Sequence, residues 1–120
     1  MGYEICDHTH VDAMARMAFN TSRDAGWHDV PNFDNLKRVL LIHSEVTELC
    51  EAIRRGTKDY VEVDGKPEGP ASELADIVIR TLELAVHMGY EDFESVILHK
   101  MEYNRRRTDV PAHGYAGKAF

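Results

Sequence analysis

The chain has 120 residues, 43% hydrophobic and 29% charged, with a formal net charge of −7. That length suits a single domain over 1–120, and that balance suits a folded chain rather than a disordered one. The acidic surplus repels polyanions, which argues against nucleic acid or an anionic membrane as partner and requires local cations wherever a phosphate is to be held. No apolar run approaches the ~20 residues of a membrane span. The opening "MGYEICDHTH" has neither the basic nor the apolar segment of a signal peptide, so a cytoplasmic protein is expected. Cys6 and Cys50 lie far apart and fit neither a metal clip nor a disulfide framework, so reduced thiols are expected.

In chain order, helical periodicity predicts a first helix from about Thr9 to Asp24, with Met14, Met17, Ala18 and Phe19 facing a core and Gly26 just past its end. The loop "GWHDVPNFD" carries Trp27, Pro31 and Phe33. A second helix starts near Phe33 or Asp34 and runs to about Arg55, ahead of Gly56. Gly56 to Gly69 is a long loop with turn residues, in which "YVEVDGK" alternates as a short hairpin arm would. Pro70 opens a third helix, ending near Met88 before Gly89. Asp92 is placed to cap a fourth that continues to about Arg106, and the tail "TDVPAHGYAGKAF" reads as loop. Four helices and one long connection predict an all-α fold of the four-helix-bundle type.

"HSEVTELCEA" in the second helix spaces glutamates at 45, 48 and 51 about one turn apart. At about 100° per residue, Leu36, Val39, Leu40, Ile42, Val46, Leu49 and Ile53 form one broad arc, which makes His43 a core histidine by position. Glu45 and Glu48 fall on the opposite side with Leu41 and Ala52 between them, whereas Glu51 projects elsewhere. In the third helix the strongly polar residues Glu73, Asp76, Arg80, Glu83 and His87 share an arc of roughly 80° on an otherwise apolar cylinder. Such a helix is buried on most sides, and its acidic stripe faces either a thin exposed strip or an interior polar site. Glu45/Glu48 and Glu73/Asp76 are both i, i+3 pairs, and if the two helices are antiparallel neighbours the four carboxylates converge. Like charges about 4 Å apart repel by roughly 4 kcal/mol at an effective dielectric of 20. The cluster therefore needs protons, Arg80, or a hard divalent cation with oxygen ligands such as Mg²⁺, for which Mn²⁺ is a possible substitute. A ferritin-like di-iron site is disfavoured because no glutamate has a histidine three residues on.

In the fourth helix Lys100, Asn104 and Arg107 share one side. An ammonium, an amide and a guanidinium together suit phosphate oxygens, although cations near a helix C-terminus also favour the helix dipole. Taken together, E45-V-T-E48, E73-L-A-D76 and K100-x-x-x-N104-x-x-R107 resemble the MazG-like branch of the all-α nucleoside triphosphate pyrophosphohydrolases, over roughly 20–107. Gly26-Trp27 and the ending "HGYAGKAF" are similar to members of that group.

The resemblance implies Mg²⁺-dependent hydrolysis of a (deoxy)nucleoside triphosphate between its α and β phosphorus, giving monophosphate and pyrophosphate. It implies Glu45, Glu48, Glu73 and Asp76 as metal ligands, Lys100, Asn104 and Arg107 on phosphate oxygens, and a homodimer or homotetramer with sites near subunit interfaces. The chemistry is consistent with the residues, since phosphoanhydride hydrolysis is mostly positioning and charge neutralisation and metal-bound water loses its proton near neutral pH. One of the four acids can instead be the general base. Trp27 or Phe33 is placed to stack on a nucleobase and Asn20 to read its edge, with a packing role for Trp27 equally open. The rival to the enzyme is a non-catalytic helical dimerisation module. A phosphohydrolase of another linkage would release orthophosphate.

Overall fold

A computed structural model describes residues 10–107; Cys6 and the C-terminal tail lie outside them. The chain is mainly helical: α1 (Val11–Asp24), α2 (Asn35–Arg54), α3 (Pro70–His87) and α4 (Phe93–Arg106), with β1 (Val61–Val63) and β2 (Lys66–Glu68) between α2 and α3. No helix among the described residues is long and apolar enough to cross a membrane. α3 is the central helix and packs against both α1 and α2, whereas α4 packs on α1.

The hydrophobic core is small: Leu82, Leu84 and Ala85 of α3 and Ala15 of α1 are the buried apolar residues among those described. On α1 the inward positions are Ala15 and Ser22, while Met14, expected in the core, is exposed and Met17, Ala18 and Phe19 are half-buried. Small side chains let α1 approach α3 closely, which leaves the long Met14 side chain at the margin.

The larger departure is α2. Its inward side carries the buried Arg38 and Glu45, and its broad apolar arc is turned away from α3. Leu36 is 75% exposed, Leu40 64% and Ile53 61%, with Val39 and Val46 also exposed. His43 shares that outward side and is exposed, not a core histidine. The reason is geometric. A helix can show only one side to its neighbour, and here the side that pairs with α3 is polar.

α1 and α4 cap one another at their N-termini. The Val11 amide donates to Glu94 Oε1 at 3.0 Å and the Glu94 amide to Asp12 Oδ1 at 3.0 Å. Asp12 thus takes the role expected of Asp92, whose side chain makes no cap hydrogen bond. The loop after α2 does form an antiparallel hairpin, with Val61 opposite Glu68 and Val63 opposite Lys66. Asp64 (φ 53°) and Gly65 (φ 80°) are both left-handed, as a two-residue type I′ turn requires.

Gly69, the N-cap of α3, is where the hairpin is pinned to the helices. Its φ is +104°, and a Cβ there would press on the Lys58 carbonyl oxygen and stand 2.8 Å from that of Asp59. The same Asp59 oxygen accepts from the Ala71 amide at 2.9 Å, two residues ahead of Glu73. Replacing Gly69 by alanine is expected to destabilise the fold by about 2–4 kcal/mol in chemical denaturation, combining backbone strain with a steric clash. Gly56, also left-handed (φ +68°) but with open space around it, is the control, with an expected loss of about 1–2 kcal/mol for Gly56→Ala.

Candidate functional site

Successive turns of α2 present Glu45 and Glu48, and the facing turns of α3 present Glu73 and Asp76. One carboxylate oxygen from each of Glu45, Glu73 and Asp76 lies within 4.8 Å of the other two. Glu48, more exposed, stands beside them, and its carboxyl feels both Glu45 and Glu73. The four acids expected to converge are thus brought together. Glu51 is turned away and pairs instead with Arg54 at 2.9 Å and Arg55 at 3.9 Å.

One cation is built into the cluster. Arg80, one turn beyond Asp76, donates from Nε to Glu45 Oε1 at 2.8 Å, and Glu45 is only 8% exposed. A single guanidinium does not balance four carboxylates, and the protonation equilibria show it. The hydrogen bond with Glu45, then that group's charge, holds the Glu48 carboxyl above the usual glutamate range. Burial, then the Asp76 and Glu45 charges, push Glu73 up, and its buried Oε2 has no hydrogen-bond partner. Burial, then Glu45, raise Asp76 against the pull of Arg80 and Lys66. An all-oxygen set of crowded carboxyls, with Glu48, Glu73 and Asp76 raised by their surroundings and a buried oxygen unsatisfied, fits a hard divalent cation and does not fit a soft one.

The hairpin adds a second cation that the sequence pattern did not single out. Lys66 Nζ sits 3.2 Å from Glu68 Oε1, and its pKa is raised by Glu68 first and then also by Glu73 and Glu48. By contrast, no ion pair or hydrogen bond among the described residues joins Lys100 or Asn104 to the acids. Lys100 lies over the Tyr103 ring at 5.0 Å, α4 leans on α1, and the half-buried Arg107 closes that helix. Within one chain the expected phosphate ligands Lys100, Asn104 and Arg107 are on a helix separate from the acid-bearing pair α2–α3.

Beside the acids, a cavity of about 520 Å³ opens between α1, α2 and α3. Trp27 and Phe33, the expected base-stacking residues, both line it, whereas Asn20 does not. Arg38 closes one side, with its Nη2 donating to the Trp27 carbonyl at 3.1 Å and its guanidinium 4.9 Å from the Phe33 ring centre. Glu83 enters from α3 and accepts from Ser22 Oγ at 3.2 Å. Arg38 was legible in principle, because it stands seven residues before Glu45 on the same side of α2. The contact between His28 and His87, whose Nδ1 atoms are 2.7 Å apart, had no local signal because a loop and a helix end meet there only on folding.

The raised carboxyls fix the sign of a pH effect. Each holds its proton to higher pH when folded than when unfolded, so its contribution to stability is complete below the unfolded pKa, about 4, and is lost as pH rises through the folded value. Metal-free protein is therefore expected to lose melting temperature on going upward from about pH 4 through the raised Glu48, Glu73 and Asp76 values, and Glu48→Gln is expected to flatten that slope in thermal unfolding. No protein-family model matches this chain and no curated protein matches it.

Proposed function

We propose that the chain is a Mg²⁺-dependent nucleoside triphosphate pyrophosphohydrolase of the MazG-like type, converting (deoxy)nucleoside triphosphates to monophosphate and pyrophosphate in cytoplasmic housecleaning of the nucleotide pool. The observation that carries this reading is the meeting of Glu45, Glu73 and Asp76 oxygens within 4.8 Å, with Glu48 beside them. Those residues would hold the ion, and Mn²⁺ would substitute for it. Once bound, the ion supplies charge neutralisation and a water of lowered pKa at the scissile phosphate. The chain's own residues do the rest. Arg80 holds the Glu45 carboxylate in place, Lys66 offers an ammonium beside Glu68, and a carboxylate not engaged as ligand would serve as general base.

A second copy of the chain completes this reading. Leu36, Leu40, Val46 and Ile53 recur at helical spacing on the outward side of α2, and α4 exposes Val96, Leu98 and Met101. Each such side chain gains about 1.5–3 kcal/mol on full burial. A homodimer or homotetramer covers these faces, forms the helical bundle from more than one chain, and gives α4, with Lys100, Asn104 and Arg107, a route to the phosphates. The exposed faces also suit the non-catalytic dimerisation module, which is why the metal decides between them.

Calorimetry should show Mg²⁺ binding that Glu48→Gln and Asp76→Asn each weaken by about 100-fold or more. Equal heats from all three proteins would favour the module, and orthophosphate in place of pyrophosphate would assign a different hydrolase. Light scattering should return a dimer or tetramer mass, and Leu40→Lys should lower it. A monomer for the unmodified chain would remove the second-copy proposal.

A further inference from the structure

The cavity next to the acids has a composition that bears on which base the substrate carries. Its walls are mainly apolar, from Met14, Met17, Leu41, Ile79, Trp27 and Phe33. Besides Asp76 and Arg80 of the acid cluster, two charged groups interrupt them. Arg38 is 6% exposed, uses one nitrogen on the Trp27 carbonyl, and leaves its Nε–H buried with no acceptor. Among the described residues Glu83 has a single hydrogen bond, the 3.2 Å one from Ser22, although a carboxylate offers about four acceptor positions. Burial raises the Glu83 carboxyl, against Ser22, Arg80 and Arg38, so N–H donors brought by a ligand would stabilise its charged form.

A ligand satisfying this cavity is flat and apolar on its faces, to lie against the aromatic rings. One edge must carry an acceptor for Arg38 and donors for Glu83. Uracil, cytosine, adenine and hypoxanthine each place one ring-edge donor beside an acceptor. Guanine alone adds a second adjacent donor, N1–H and N2–H side by side next to O6, which occupies both oxygens of a carboxylate at once. Charge-assisted bidentate pairs of this kind are the stronger and more selective ones.

We propose that the cavity selects guanine nucleotides, with Glu83 accepting from N1–H and N2–H and Arg38 donating from Nε to O6. As a statement about the substrate of the same site, it rests on the pyrophosphohydrolase reading.

The test is equilibrium binding of deoxynucleoside monophosphates to the full chain, run beside pyrophosphate release from the matching triphosphates with Mg²⁺. dGMP is expected to bind about tenfold or more tighter than dIMP, which lacks only the 2-amino group, and tighter than dAMP, dCMP and dUMP. Glu83→Gln should erase the dGMP–dIMP difference, and that comparison on the unmodified chain stands even if the variant does not fold. Equal binding of dGMP and dIMP, tighter binding of another base, or no binding of any overturns the guanine assignment. Pyrophosphate release without base preference overturns it while leaving the pyrophosphohydrolase reading standing. Selective dGMP binding with no triphosphate hydrolysed supports the base site and removes the hydrolase.

Discussion

The carboxylates of α2 and α3 repel one another across the helix interface, and most of the molecule's organisation follows from accommodating that repulsion. Two charges about 4 Å apart cost roughly 4 kcal/mol at an effective dielectric of 20, and Glu45, Glu48, Glu73 and Asp76 form several such pairs. Arg80 neutralises one of them directly and Lys66 approaches from the hairpin. The remaining repulsion, with burial, raises the Glu48, Glu73 and Asp76 carboxyls above their usual range. Carboxyls raised by their neighbours' charge are ones that a divalent cation would relieve, displacing protons as it binds.

The same constraint shapes the rest of α2. Because Arg38 and Glu45 occupy its inward side, the helix cannot also bury Leu36 and Leu40 against α3. Its apolar arc faces outward, and the buried hydrophobic set shrinks to Ala15, Leu82, Leu84 and Ala85 among the described residues. An extended apolar stripe on a helix of this length is the usual mark of an interaction surface. The polar site and the outward apolar face are two consequences of one helix orientation.

Around the acids, the local elements act as supports. The Gly69 backbone, pressed against the Lys58 and Asp59 carbonyls, sets where α3 begins and so where Glu73 stands relative to Glu45. The hairpin it anchors carries Lys66 toward the same place. On the far side, Trp27 and Phe33 border the cavity together, tied to α2 through Arg38. Charge chemistry and an aromatic cavity thus adjoin, sharing Asp76 and Arg80.

Local spacing was enough to locate four helices to within a few residues, to place the hairpin between Gly56 and Gly69, and to bring Glu45, Glu48, Glu73 and Asp76 to one place, because helical periodicity decides which side chains share a face. It misjudged which face of α2 is buried. A hydrophobic arc records that a surface avoids water, and does not record whether a neighbouring helix of the same chain or another molecule covers it. The Arg38–Trp27 contact, the cavity with Glu83, the Asp12 cap on α4 and the pinning of Gly69 join residues distant along the chain. Those were decided by the tertiary structure alone, since no period along a sequence encodes which turn of one helix meets which turn of another.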